Sequence, residues 1–172
     1  MKKIRSITLI CILSIACTVT ISAQTKFEVP KDVVLKVKED YAKYETDMIN
    51  AAKWLEETDL DKETEKRKEV AGFAMQWIMG CPTFNIDLTE QLTKLYGKNT
   101  DLLLLYMTGY SRYFLENKTT ATKFLGTKAG LMSMMVVYKK GILITKSKEM
   151  DKLIKATDDN KLDDYIKDKF KE

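Results

Sequence analysis

Apolar residues recur at steps of three and four along most of the chain, which is the spacing of one face of an α-helix. The first stripe of this kind comprises Val34, Val37, Tyr41, Tyr44, Met48, Ala51 and Leu55. It predicts a first helix that begins after Asp32, a residue type able to cap a helix N-terminus, and ends near Thr58.

A second stripe follows residues 61–69, almost all of which are charged. Its members are Val70, Phe73, Ala74, Trp77 and Ile78. The pattern predicts a helix that starts in solvent and ends in the core. Gly80 and Pro82 should end it, because glycine accepts the left-handed conformation of a helix C-terminus and proline cannot continue a helix.

A short third helix and a central fourth helix come next. Asp87 and Glu90 have the spacing of a capping box, which predicts a helix start at this point. Residues 102–107 are apolar on all sides, as expected of a buried helix, and Asn99 or Thr100 can cap it.

A fifth helix is predicted from Ala121 to Tyr138, and it carries two apolar stripes. One comprises Ala121, Leu125, Ala129, Met132 and Val136, and the other Phe124, Leu131, Met135 and Tyr138. We expect both stripes to face the core. Met132, Met134 and Met135 raise the question of a Cu(I) site, but neighbouring side chains diverge by about 100° on a helix. We therefore interpret these methionines as core packing.

Two further helices follow Gly141, the first of them capped by Ser147, and no segment alternates with a period of two. The chain is therefore predicted to be all-α, a bundle or stacked antiparallel helical hairpins with about six to seven helices.

Three glycines occupy the interiors of the fourth and fifth helices: Gly109, Gly126 and Gly130. Glycine there costs about 1 kcal/mol relative to alanine, so we expect a compensating close approach of the two backbones. The alternative is a ligand that approaches bare backbone at Gly130.

Residues 1–23 have the pattern of a secretory signal peptide: a basic start, an apolar run and small residues before a cleavage site between Ala23 and Gln24. A lipoprotein signal ending at Cys17 is the alternative, although Ser14 stands where such signals have leucine. Residues 24–31 are predicted to be a flexible leader, and residues 32–172 a single helical domain. We expect the protein in the periplasm or outside the cell.

Removal of this segment changes the charge and the cysteine content. It leaves 26 basic and 25 acidic residues, a net charge of +1, which argues against nucleic-acid binding. Cys81 becomes the only cysteine, so no intramolecular disulfide forms. The apolar run is too short and too polar for a permanent membrane span.

The residue inventory also limits the chemistry. The chain has no histidine, which removes the commonest general base and a leading metal ligand. No catalytic residues, metal site or cofactor are predicted, and we expect a protein that is not an enzyme. The candidate binding surface is Tyr106, Tyr110 and Tyr113 on one helix face, with Arg112 beside them. The alternative is that these rings form an amphipathic interior.

The stretch "YMTGYSRYFLENKTTATKFLGTKAGLMSMMVVYKKG", together with the start "MKKIRSITLICILSIACTVTISAQ" and the ending "LIKATDDNKLDDYIKDKF", resembles small secreted all-helical proteins of Bacteroidota, which have no known function. The resemblance implies an envelope location and a helical fold, and it assigns no catalytic residue. The hairpin is also loosely similar to a tetratricopeptide unit, with Gly109 and Ala121 at its small positions; Lys128 and a missing proline depart from that motif.

Together these patterns favour an exported helical binding or scaffold protein of the cell envelope that binds another protein. The alternative is a periplasmic carrier of a small apolar or lipid ligand, held in a cavity beneath Tyr106, Tyr110 and Trp77.

Overall fold

The structure, a computed structural model, describes residues 26–171, within which the chain is all-helical. This confirms the predicted all-α class. The described residues form α1 (Lys38–Lys43), α2 (Glu45–Glu57), α3 (Thr64–Gly80), α4 (Glu90–Tyr96), α5 (Thr100–Glu116), α6 (Lys123–Lys140), α7 (Lys148–Asp158) and α8 (Leu162–Phe170). The predicted signal peptide, its cleavage site and Cys17 lie outside the described residues.

The centre of the fold is an antiparallel hairpin of α5 and α6. Helices α2, α3 and α4 pack on α5, whereas α7 and α8 pack on α6. α2 also contacts α6, and α4 contacts α7, so the outer helices are joined to each other as well as to the hairpin. The largest fully buried side chains include Trp54, Trp77, Tyr106, Tyr110, Leu102 and Leu131.

The predicted first helix is two helices in the structure, which raises the number of described helices to eight. α1 starts only at Lys38, because Val37 is extended and the carboxylate of Asp40 accepts hydrogen bonds from the backbone amides of Lys36 and Val37. The chain bends at Tyr44 before α2 begins. Val34 and Val37, which the periodicity placed on the buried stripe, are exposed.

The predicted flexible leader is anchored in the part that the structure describes, residues 26–31. Phe27 is only 3% exposed, and its ring packs against that of Phe73 with centroids 6.3 Å apart. Asp32 adopts a positive φ of 53° and does not begin a helix, contrary to its predicted capping role. The leader therefore contributes to the core of the domain.

Two other predicted helix ends agree with the structure, and one more does not. Ser147 caps α7 by accepting a hydrogen bond from the Met150 amide, and Gly141 ends α6 in a left-handed conformation. α4, however, is capped by Thr89, whose hydroxyl accepts from the Leu92 amide at 3.2 Å. Asp87 instead forms an ion pair with Lys123.

Arg67 closes the C-terminal end of α2 from the neighbouring helix α3. Its guanidinium donates to the carbonyl of Leu55 at 2.9 and 3.1 Å and to that of Thr58 at 2.7 Å. A helix C-terminus leaves carbonyl groups without intrahelical donors, so this buried side chain replaces the missing partners. The burial lowers the pKa of Arg67 by desolvation.

Among the described residues, no helix is both long enough and apolar enough to cross a lipid bilayer.

Candidate functional site

The structure divides the four residues of the predicted binding surface between core and rim. Tyr106 and Tyr110 are each only 2% exposed, and both lie against α6. The hydroxyl of Tyr106 shares a hydrogen bond with that of Thr127 at 3.3 Å. These two rings therefore belong to the interior of the hairpin and not to an exposed surface.

Arg112 and Tyr113 lie half-buried at the rim. An Nη atom of Arg112 is 3.3 Å from Oε2 of Glu56, and the hydroxyl of Ser133 donates to the same oxygen at 2.7 Å. One carboxylate thus links α2, α5 and α6. The ring of Tyr113 packs edge-on against Phe114. Ser133 is buried, so its hydroxyl is not accessible to a ligand from solvent. The role of this network is to hold the three helices together.

The proposed cavity beneath Tyr106, Tyr110 and Trp77 is occupied by another ring. Phe84 lies 6.2 Å from Trp77 and 5.9 Å from Tyr110, measured between ring centroids. Tyr106 continues the series at 6.2 Å from Tyr110. Aromatic rings at these separations are in packing contact, so the three residues form a continuous part of the core.

The three helix-interior glycines lie where α5 and α6 approach each other. A Cβ atom on Gly109 would lie 2.6 Å from Cβ of Ser133, and one on Gly130 would lie 2.7 Å from the carbonyl oxygen of Tyr106. On Gly126 it would lie 2.7 Å from the ring of Tyr110. These separations leave no room for a methyl group, and both backbones supply glycines to the same contact.

The first apolar stripe predicted on the fifth helix is only partly covered by the fold, contrary to its predicted place in the core. We call Leu125, Ala129, Met132 and Val136 the α6 stripe. Met132 is 50% exposed and Val136 is 44% exposed, whereas Leu125 and Ala129 are partly buried. Met134 and Met135 are buried as core packing requires, but Met132 is not.

The α6 stripe lies between two charged edges. On one side, Lys128 pairs with Asp163 of α8 at 2.6 Å. On the other side, Ser133 contacts the Glu56 carboxylate that pairs with Arg112. Because successive helix residues are about 100° apart, Met132 and Ala129 fall between Lys128 and Ser133 around the helix.

A groove of about 250 Å³ opens beside Met132, between α6 and the turn that joins α7 to α8. Its walls are formed by Lys128, Met132, Thr157, Asn160, Leu162 and Asp163. The α6 stripe and this groove together offer an apolar ridge with an adjacent depression. Such a surface is typical of helix-in-groove recognition.

Across residues 26–171, no group of three acidic or cysteine side chains is placed to hold a metal ion. Comparison of the chain with protein-family models, with curated proteins and with solved structures finds no match. The α6 stripe and the cavities around the fold are therefore the features of the molecule that bear on its function.

Proposed function

We propose that this chain is an exported helical binding protein of the cell envelope, which docks a helix of a partner protein on the α6 stripe. The sequence pattern of residues 1–23 supports export, with cleavage between Ala23 and Gln24. The alternative is a lipoprotein that stays in the cell envelope, held at the membrane by a lipid attached to Cys17. The function requires recognition alone and no catalysis by the chain.

The observation that carries this proposal is an apolar stripe left open on the central hairpin. Its four residues follow helical spacing over three turns; Met132 and Val136 are exposed, and Leu125 and Ala129 are partly buried. A neighbouring helix would normally cover such a stripe completely. A contiguous exposed apolar surface bordered by polar residues is typical of protein interaction sites. A partner helix with anchors at positions i, i+3 or i+4, and i+7 would match its length.

The charges beside the stripe favour a neutral amphipathic helix as the partner. Each edge carries an internally balanced pair, Lys128 with Asp163 and Arg112 with Glu56. Such pairs create no single-sign field that would draw in a phosphate backbone or an anionic lipid surface. The partner therefore gains affinity mainly from its apolar anchors, and its polar flanks can pair with either charge.

Site-specific crosslinking tests this assignment. A photoreactive amino acid is placed at position 132 of the full chain, and the crosslinked products in its own envelope fraction are identified by mass spectrometry. The matched control carries the same group at Val34, which is equally exposed but lies outside the stripe. We expect one partner to crosslink through position 132 and not through position 34.

The substitution Met132→Glu supplies the second measurement. A carboxylate placed in the apolar contact should weaken capture of that partner by about tenfold or more, whereas Val34→Glu should leave capture unchanged. Equal crosslinking from both positions would contradict the docking site. A crosslink to a second copy of the chain would contradict a separate partner protein and indicate that the α6 stripe mediates self-association.

A further inference from the structure

A second cavity lies between the end of α3, the loop of residues 81–88 and α5. Its volume is about 220 Å³, and it shares no lining residue with the groove beside the α6 stripe. Ile78, Cys81, Phe84, Ile86 and Met107 contribute to its walls. We call it the loop cavity.

The side chains that line the loop cavity are all uncharged. Asn85 supplies the one polar side chain, an amide that can both donate and accept a hydrogen bond. Three other cavities formed by the described residues each include at least two charged side chains. The loop cavity is thus the one among these four that has no charged side chain in its lining, which favours an uncharged ligand.

Two large apolar side chains extend this surface out of the cavity. Met79 is 79% exposed and Leu88 is 60% exposed, and both belong to the lining. Apolar surface left in water on this scale is covered favourably by a hydrocarbon group. A chain that fills the cavity and continues across these two residues would bury both.

We infer that the loop cavity binds a neutral ligand with a single unbranched hydrocarbon chain and a hydroxyl or similar polar end. The cavity volume of about 220 Å³ limits the ligand to one hydrocarbon chain, because pockets for larger ligands usually span about 300–1,000 Å³. The uncharged lining favours a neutral ligand, because a ligand carboxylate would find no cationic side chain in the cavity. This inference is independent of the partner helix proposed for the α6 stripe.

Cys81 provides a direct readout, because its thiol is a partly exposed part of the cavity wall. The full chain is alkylated with N-ethylmaleimide while octan-1-ol is titrated. Peptide mass spectrometry follows Cys81 separately from Cys11 and Cys17. With octanol at about ten times its dissociation constant, about one tenth of the cavities are empty, so the reaction of Cys81 should be about tenfold slower.

Two ligand controls test chain length and charge. Butan-1-ol is too short to bury the same apolar surface, and octanoate has the same chain length with a carboxylate end. Both should need at least about tenfold higher concentrations for half-protection. Equal protection by all three compounds would overturn the inference, because it would indicate a general solvent effect.

A pair of matched variants locates the effect. Leu88→Asp places a charge at the mouth of the cavity and should raise the octanol concentration for half-protection by about tenfold. Leu143→Asp places the same charge on an exposed leucine in the turn after α6, outside the lining of both cavities, and should change nothing. Calorimetric titration of octanol measures the same affinities without the thiol, and undetectable heat in the wild type together with unprotected Cys81 would refute the site.

Phospholipid vesicles distinguish a free ligand from a lipid surface. Protection of Cys81 by octanol and not by vesicles supports the free chain-like ligand. Protection by vesicles alone would overturn it in favour of membrane contact at Met79 and Leu88.

Discussion

At the scale of single residues, the buried guanidinium of Arg67 replaces the backbone donors that α2 lacks at its end. Its two Nη atoms make three hydrogen bonds to the carbonyls of Leu55 and Thr58. Arg67→Met keeps much of the apolar stem but leaves both carbonyls without this donor. We expect it to lower the free energy of unfolding by about 3 kcal/mol, measured by urea denaturation.

Lys68→Met, one position along the same helix, is the control for that substitution. Lys68 is exposed and forms a surface ion pair with Glu65, so its loss should change stability by less than about 0.5 kcal/mol. Equal effects of the two variants would contradict the capping role of Arg67. Arg67→Lys should recover only part of the loss, because one ammonium group cannot reproduce the geometry of the guanidinium.

Asp40 makes a single-residue contribution that depends on pH. The hydrogen bond from Lys43, followed by those from the backbone amides of Lys36 and Val37, lowers the pKa of Asp40 to about 2 from its ordinary 3.8. Because the pKa is lower in the folded state, the stabilisation is fully present above pH 3.8 and is lost as pH falls from there to about 2. Asp40→Asn should therefore destabilise the protein at neutral pH and have little effect below that window.

Urea midpoints measured between neutral pH and pH 2 would show this convergence of wild type and Asp40→Asn. The exposed Asp164, replaced by Asn, controls for the general loss of one negative charge. A constant offset between wild type and Asp40→Asn at every pH would show that the ionised carboxylate is not the stabilising form.

At the scale of helices, the close crossing of α5 and α6 depends on glycines that both helices place at their contact. A methyl group at Gly109 would lie 2.6 Å from Cβ of Ser133, whereas one at Gly72 in α3 meets no atom within 4 Å. Gly109→Ala should therefore lower the free energy of unfolding by about 1–3 kcal/mol through overpacking. Gly72→Ala should raise it by about 0.5–1 kcal/mol, because alanine is the better helix former.

Thermal denaturation of the two glycine variants compares the same chemical change at an occupied and an open position. Gly109→Leu should lower the melting temperature further than Gly109→Ala. An unchanged melting temperature for Gly109→Leu would refute the close crossing.

Periodicity predicted the helices well, but it could not orient every one of them. α6 carries apolar residues on most of its circumference, so two stripes competed for the core and the sequence offered no polar face to decide between them. The glycines contain the missing signal. Gly126 and Gly130 mark the side that faces α5, and Met132 lies about 140° around the helix from that side, toward solvent.

Long-range contacts account for the other differences between expectation and structure. Glu56, Arg112 and Ser133 come from three helices, and no local spacing in the sequence reveals that one carboxylate joins them. The loop cavity depends in the same way on Met107 of α5 meeting the loop around Ile86. Tyr106 and Tyr110 were recognisable as one helix face, but the burial of that face depends on α6.

At the scale of the whole molecule, the outer helices and the N-terminal arm are held to one central hairpin. We call residues 26–37, the described residues that precede α1, the N-terminal arm. They form no helix or strand, but Phe27 packs into the core beside Phe73. Phe27→Ala should lower the free energy of unfolding by about 3 kcal/mol, the usual cost of removing a buried aromatic ring. It should also free the arm, so that limited trypsin digestion cuts at Lys31 and Lys36 faster than in the wild type.

Val34→Ala, on an exposed part of the same arm, should change neither property. Faster cleavage with an unchanged free energy of unfolding would mean that the domain is stable without the arm. Faster cleavage together with a lower free energy of unfolding would mean that the arm unfolds cooperatively with the domain.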